Sequence, residues 1–245
     1  MLGMKKLAAI LAGAGLLASG AAQATLLDRG GGLIYDDVLK ITWLKDANYA
    51  KTSGYDADGL MTWVDARAWA DNLSYGGYDD WRLPTMVDTG APGRDCAYTG
   101  TDCGFNVQTV SGSTVYSEMA YRYYVNLGLK GYYDTSGAYQ PTWGIFGNGT
   151  CNGTDCSSYG QNNVGLIDNL QAYYYWSGLE YAPNPDYAWV FTMDAGNQDA
   201  YSYFKYRELY AWAGRPGSVA AVPEPSTLAL LGLAMAGLGA LRRRG

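Results

Sequence analysis

Four cysteines and a complete absence of histidine decide much of what this chain of 245 residues can do chemically. Without an imidazole there is no Ser-His-Asp or Cys-His nucleophile system and no His-ligated metal. The cysteines form two close pairs, Cys96 with Cys103 and Cys151 with Cys156, and the run GTDC ends at Cys103 and again at Cys156. Neither pair has the two-residue spacing of a zinc knuckle. An even number of cysteines in a chain that opens like an exported one favours disulfides over a metal site. More than one connectivity is possible; the local pairs Cys96–Cys103 and Cys151–Cys156 are favoured, each closing a small loop for roughly 2–3 kcal/mol.

Paired carboxylates are the other source of reactivity, at Asp36/Asp37 and Asp79/Asp80. A glycosidase needs two acids facing one another across roughly 5–10 Å. Adjacent residues on a strand point to opposite faces, so neither pair is such a dyad, and turn-forming aspartates explain both. No catalytic residue is assigned.

The elements that must position these groups follow from periodicity. GGLIYDDVLKITWLKD, at residues 31–46, reads as a hairpin turning at Asp36-Asp37. MTWVDARAWADNL reads as a helix: Thr62 can cap it, Asp65 stands three residues on, and Trp63, Ala66, Trp69, Ala70 and Leu73 share one face. A second helix is expected at SEMAYRYYVNLG, capped by Ser117 and stopped by Gly128. The last third reads as short strands with turns at Pro183–Asp186 and Asp194–Asn197. That order predicts an α+β fold with two helices and short, mostly antiparallel strands, rich in loops.

Both ends read as addressing segments. Lys5 and Lys6, the apolar run Leu7–Leu17 and the small-x-small triplet Ala22-Gln23-Ala24 predict a signal peptide over 1–24, cleaved after Ala24. Residues 25–217 then form one domain, 218–226 a linker, and 227–245 an apolar helix with an arginine end. Between residues 25 and 222 there are 12 basic and 22 acidic side chains, a balance of 12 − 22 = −10. That charge argues against nucleic acid and anionic lipid, and is compatible with cations, neutral sugars or a basic protein. The composition holds 23 Tyr and 8 Trp against 4 Phe. The tryptophans lie on periodic faces and read as core; the tyrosines are too many for one core, so a share must face water.

MTWVDARAWADNLSYGGYDDWRLPT, the later YYWSGLEYAPNPDYAWVF and the terminal YAWAGRPG resemble the Lcl C-terminal domain family, a bacterial family without an assigned function. The likeness runs from about Gly32 to Gly217 and implies a C-type-lectin-like or formylglycine-enzyme-like fold. The formylglycine-generating activity is not carried over, because the cysteines sit at disulfide-like spacing in Gly/Thr/Asn-rich loops. A lectin-like fold implies loop calcium as the one candidate cofactor. Its ligand candidates here are Glu180, Asn184 and Asp186 in EYAPNPD, a run that is also simply a good turn.

The tail, with Val222, Pro223, Glu224 and Pro225, then an apolar run and Arg242, Arg243 and Arg244, resembles the PEP-CTERM sorting signal of Gram-negative bacteria. The resemblance implies an exosortase as partner, cleaving near the Pro-Glu-Pro motif after transient anchoring in the inner membrane. The run 227–241 is 15 residues, roughly 22 Å of helix against a hydrocarbon core of about 30 Å. It is short for a permanent span.

These readings converge on an exported, non-enzymatic module at the cell surface or in the biofilm matrix, engaging exopolysaccharide or envelope glycans. The alternative is a self-associating structural matrix protein with no glycan ligand. An enzyme acting on envelope polymers stands third, for want of a catalytic set.

Overall fold

The first sheet grows from the hairpin that the opening sequence announces. In the computed structural model, which describes residues 26–87, 104–105, 110–111, 114–115, 117–134, 136–141, 143–144, 163–200 and 203–220, strands β1 (Leu26–Gly30), β2 (Leu33–Asp36) and β3 (Ile41–Leu44) pair antiparallel in turn. The β2–β3 turn is built by the expected aspartate: Asp36 Oδ1 accepts from the backbone N–H groups of Val38 at 2.9 Å and Leu39 at 2.8 Å. Its side chain therefore serves the turn, as short polar side chains commonly do. The turn between β1 and β2 needs glycine. Gly32 has φ +77, and a Cβ there would lie 2.1 Å from the Tyr75 hydroxyl oxygen.

Two helices form where their caps predict them. Helix α2 (Trp63–Asp71) starts at Thr62, whose Oγ1 accepts from Asp65 N at 3.3 Å and donates to Asp65 Oδ2 at 2.6 Å. Trp63, Ala66, Trp69 and Ala70 are its buried face. Helix α3 (Glu118–Tyr121) is capped by Ser117, which accepts from Ala120 N. It continues as a π-helical turn over Arg122–Asn126, closed by the bond from Leu127 N to Arg122 O. Gly128, at φ +63, ends it, and Leu129 N returns to Tyr123 O at 3.1 Å. This is the glycine stop that frees the last carbonyls to find donors. A short helix α1 (Tyr49–Thr52) has no counterpart in the sequence reading.

Strands β4 (Gly104–Phe105), β9 (Tyr174–Glu180), β10 (Ala188–Thr192) and β11 (Asn197–Asp199) form a second four-stranded sheet in the order β4-β11-β10-β9, antiparallel throughout. Strands β5 (Val110–Ser111) and β6 (Thr114–Val115), and β7 (Asn163–Val164) and β8 (Ile167–Asp168), make two small hairpins. The final strand, β12 (Gly214–Pro216), returns to pair with β3, so the first sheet runs β1-β2-β3-β12. The architecture is α+β, strand-rich and antiparallel, with few helices.

The run 203–213 ties the parts together. The sequence predicts strands here, but the structure gives single bridges: Phe204 to Tyr187, Leu209 to Met61 and Tyr210 to Tyr175. A segment that passes from one neighbour to the next cannot hold a ladder with any of them. All eight tryptophans are buried, and three of them fasten distant segments through their indole N–H groups. Trp63 donates to Ser177 O, Trp176 to Met61 O and Trp212 to Leu44 O, at 2.8, 2.8 and 2.7 Å. Val219, beyond β12, is still packed in this core.

Candidate functional site

A cavity of about 540 Å³ opens where three segments meet, lined by Thr62 and Val64 from the start of α2, Pro185 and Asp186 from the turn after β9, and Phe204, Lys205 and Tyr206. Backbone bonds fix the three segments against one another. Lys205 N donates to Asp186 O at 3.0 Å, and Trp63 N donates to Lys205 O at 2.9 Å. The turn is rigid in its own right: Asn184 Oδ1 accepts from Asp186 N at 3.0 Å, and Tyr187 N donates to Asn184 O at 3.1 Å.

One side of the cavity is an aromatic stack. Phe204 and Tyr206 stack with ring centroids 5.1 Å apart and planes 17° from parallel, and Tyr187 lies behind Phe204 at 4.3 Å. Tyr206 is 72% exposed and Val64 62%. An exposed apolar surface of this kind, rimmed by polar groups, marks a contact site more often than a scattered hydrophobic residue does. Phe204 and Tyr206 are brought together by a tight turn, closed where Arg207 N donates to Phe204 O at 2.9 Å. The available signal was the aromatic density of YFKY, and sequence reasoning passed over it.

The cationic side chain of the groove is already engaged. The Lys205 ammonium pairs with the Glu180 carboxylate and lies 4.5 Å from the centroid of the buried Trp63 ring. The positive end of α2 faces its own acid, Asp65, held by the Thr62 hydroxyl. Asp186 is exposed, and no described residue bonds its carboxylate.

The three calcium candidates therefore share one neighbourhood but have different occupations: Glu180 pairs with Lys205, Asn184 caps its turn, and Asp186 faces the cavity. Among the described residues no group of three or more His, Cys, Asp or Glu side chains could hold a metal ion. Of the carboxylate pairs, Asp36 serves its turn, while Asp80 takes the Arg215 guanidinium at 2.5 and 2.9 Å and so fastens the segment after α2 to β12. The Arg215 guanidinium beside it holds the Asp80 carboxyl below its ordinary range.

Residues 221–244 match the PEP-CTERM protein-sorting motif. The matched span covers Val222, Pro223, Glu224, Pro225, Arg242, Arg243 and Arg244. Such a motif implies export, sorting at the membrane and processing there by an exosortase. The PEP-CTERM tail, the cleavage position after Ala24, and Cys96, Cys103, Cys151 and Cys156 lie outside the described residues. Among the described residues no helix is long and apolar enough to cross a membrane. No curated protein and no solved structure matches the chain.

Proposed function

We propose that this protein is a non-enzymatic module of the cell surface or extracellular matrix that holds exopolysaccharide or envelope glycan in the groove between Val64, Asp186 and Tyr206. The observation that carries the reading is the exposed Tyr206 ring, backed by the stacked ring of Phe204. A pyranose presents an apolar C–H face, which an exposed aromatic plane can cover, while groups at the rim bond the hydroxyls. Thr62 and Asp186 supply such groups at the edge of the same cavity. The PEP-CTERM tail supports the location, since it directs the chain to export and sorting at the membrane. The lectin-like resemblance of residues 32–217 supports the ligand class.

The test is a glycan array together with pull-down on the host's own exopolysaccharide, using the full chain with and without calcium. Retention that is lost in Tyr206→Ala is the expected result. No retention in either format, at either calcium condition, removes the reading. Oligomers that form without any glycan would favour the structural matrix alternative instead.

A further inference from the structure

Resting on that reading, we propose that the groove selects glycans carrying free amino groups, as in N-deacetylated polyglucosamine, over neutral and uronate-bearing chains, with Asp186 as the residue that sets the preference. The charge accounting of the cavity leads there. Its one ammonium, Lys205, is paired with Glu180 and seated on Trp63. The partial positive charge at the start of α2 is met by Asp65. Arg67, which lies 4.8 Å from the Trp63 ring centroid, does not line the cavity. What remains at the opening is the Asp186 carboxylate, beside the outer face of the exposed Tyr206 ring, whose quadrupole also favours a cation.

The surrounding field has the same sign. The balance of −10 between residues 25 and 222 opposes the approach of a polyanion and favours that of a polycation. The geometry further separates a sugar amine from a methylated ammonium. A quaternary ammonium is held by rings standing around it in a box, whereas here Tyr206 stacks on Phe204 and offers a single outer face. A flat surface fits a pyranose face and leaves an amine on the ring edge within reach of a carboxylate at the rim. Acetylation of that amine removes both its charge and the ion pair.

The experiment is calorimetric titration of the full chain, purified in mild detergent, at about pH 5.5, well below the ~8 of a peptide α-amine, because the ring oxygens and the neighbouring charges of an oligomer make a sugar amine less basic than that. The ligands are β-1,4-linked hexamers of glucosamine, N-acetylglucosamine and glucose, and a galacturonate hexamer. The glucosamine hexamer is expected to bind about fivefold more tightly than the glucose hexamer, the scale of one partly exposed ionic hydrogen bond. Asp186→Asn brings it down to the glucose value, and Tyr206→Ala weakens every hexamer. Equal affinity for glucosamine and glucose, tighter binding of galacturonate, or a glucosamine advantage that survives Asp186→Asn overturns this inference and leaves the glycan reading standing. Glucosamine binding that survives Tyr206→Ala overturns it too, as adsorption to the acidic surface elsewhere. Binding of none of the four by the unaltered chain overturns both.

Discussion

The Arg122 guanidinium lies 4.7 Å from the centroid of the Trp43 ring, and no part of the arginine reaches solvent. Trp212 covers it as well, at 5.5 Å. A buried cation is costly unless other charges or ring faces compensate it. Here burial pushes the guanidinium down to about 10, while Asp36 and Glu118 draw it back up. Replacing the arginine alone strands Asp36, which is fully buried. Arg122→Met is expected to lower stability by about 3 kcal/mol, the usual scale for breaking one side of a buried charge pair. Adding Asp36→Asn to Arg122→Met should recover a measurable part of that loss in chemical denaturation. Strict additivity of the two substitutions would falsify the coupling.

Asp194 gives stability a pH dependence of unusual sign. Burial raises its carboxyl to about 6 from an ordinary 3.8. Between those values the folded state holds a proton that the unfolded chain has released, so stability falls as pH rises from about 4 to about 6. A shift of that size corresponds to about 3 kcal/mol. Asp194→Asn should flatten the slope in that window while leaving the rest of the profile in place. An unchanged slope in thermal melts between pH 4 and 6 would contradict the assignment.

Gly196 and Gly54 form a matched test of packing against backbone. Both have φ +76, but a Cβ at Gly196 would lie 2.6 Å from Tyr123 Cε1 and Tyr124 Oη, whereas one at Gly54 meets nothing within 4 Å. Left-handed backbone alone costs an L-residue roughly 1–2 kcal/mol, and overpacking adds about 1–3 kcal/mol. Gly196→Ala should therefore be clearly more destabilising than Gly54→Ala when the two are compared by denaturant unfolding. Equal losses would mean that the two tyrosines give way freely.

Tyr206→Ala separates binding from folding. The side chain is largely exposed, and surface substitutions of that kind usually stay within about 0.5 kcal/mol. Melting temperature should hardly move while retention on exopolysaccharide falls. A loss of both together would place Tyr206 among the residues that hold the fold.

The fold was legible where its causes are local. Thr62 and Asp65 stand at a fixed spacing that any reader can count, and Ser117 and Gly128 bracket the second helix in the same way. The Asp36 turn and the buried tryptophans follow from equally short-range rules. Arg122 was not legible, because an arginine reads as surface until two indoles from distant segments, Trp43 of β3 and Trp212 just before β12, close over it. The groove escaped for a related reason: residues 62–64, 185–186 and 204–206 are far apart in sequence, and of its lining only Asp186 stood among the candidate ligand residues. The sorting motif was plain from the start, because it is a linear pattern of residues that can be read without a fold.

Val219 is packed in the core, and the matched sorting motif begins at residue 221. Pro223 is thus four residues from the last anchored side chain, at most about 14 Å of extended chain. An exosortase that cuts near Pro223 therefore has to work within about 14 Å of the folded core.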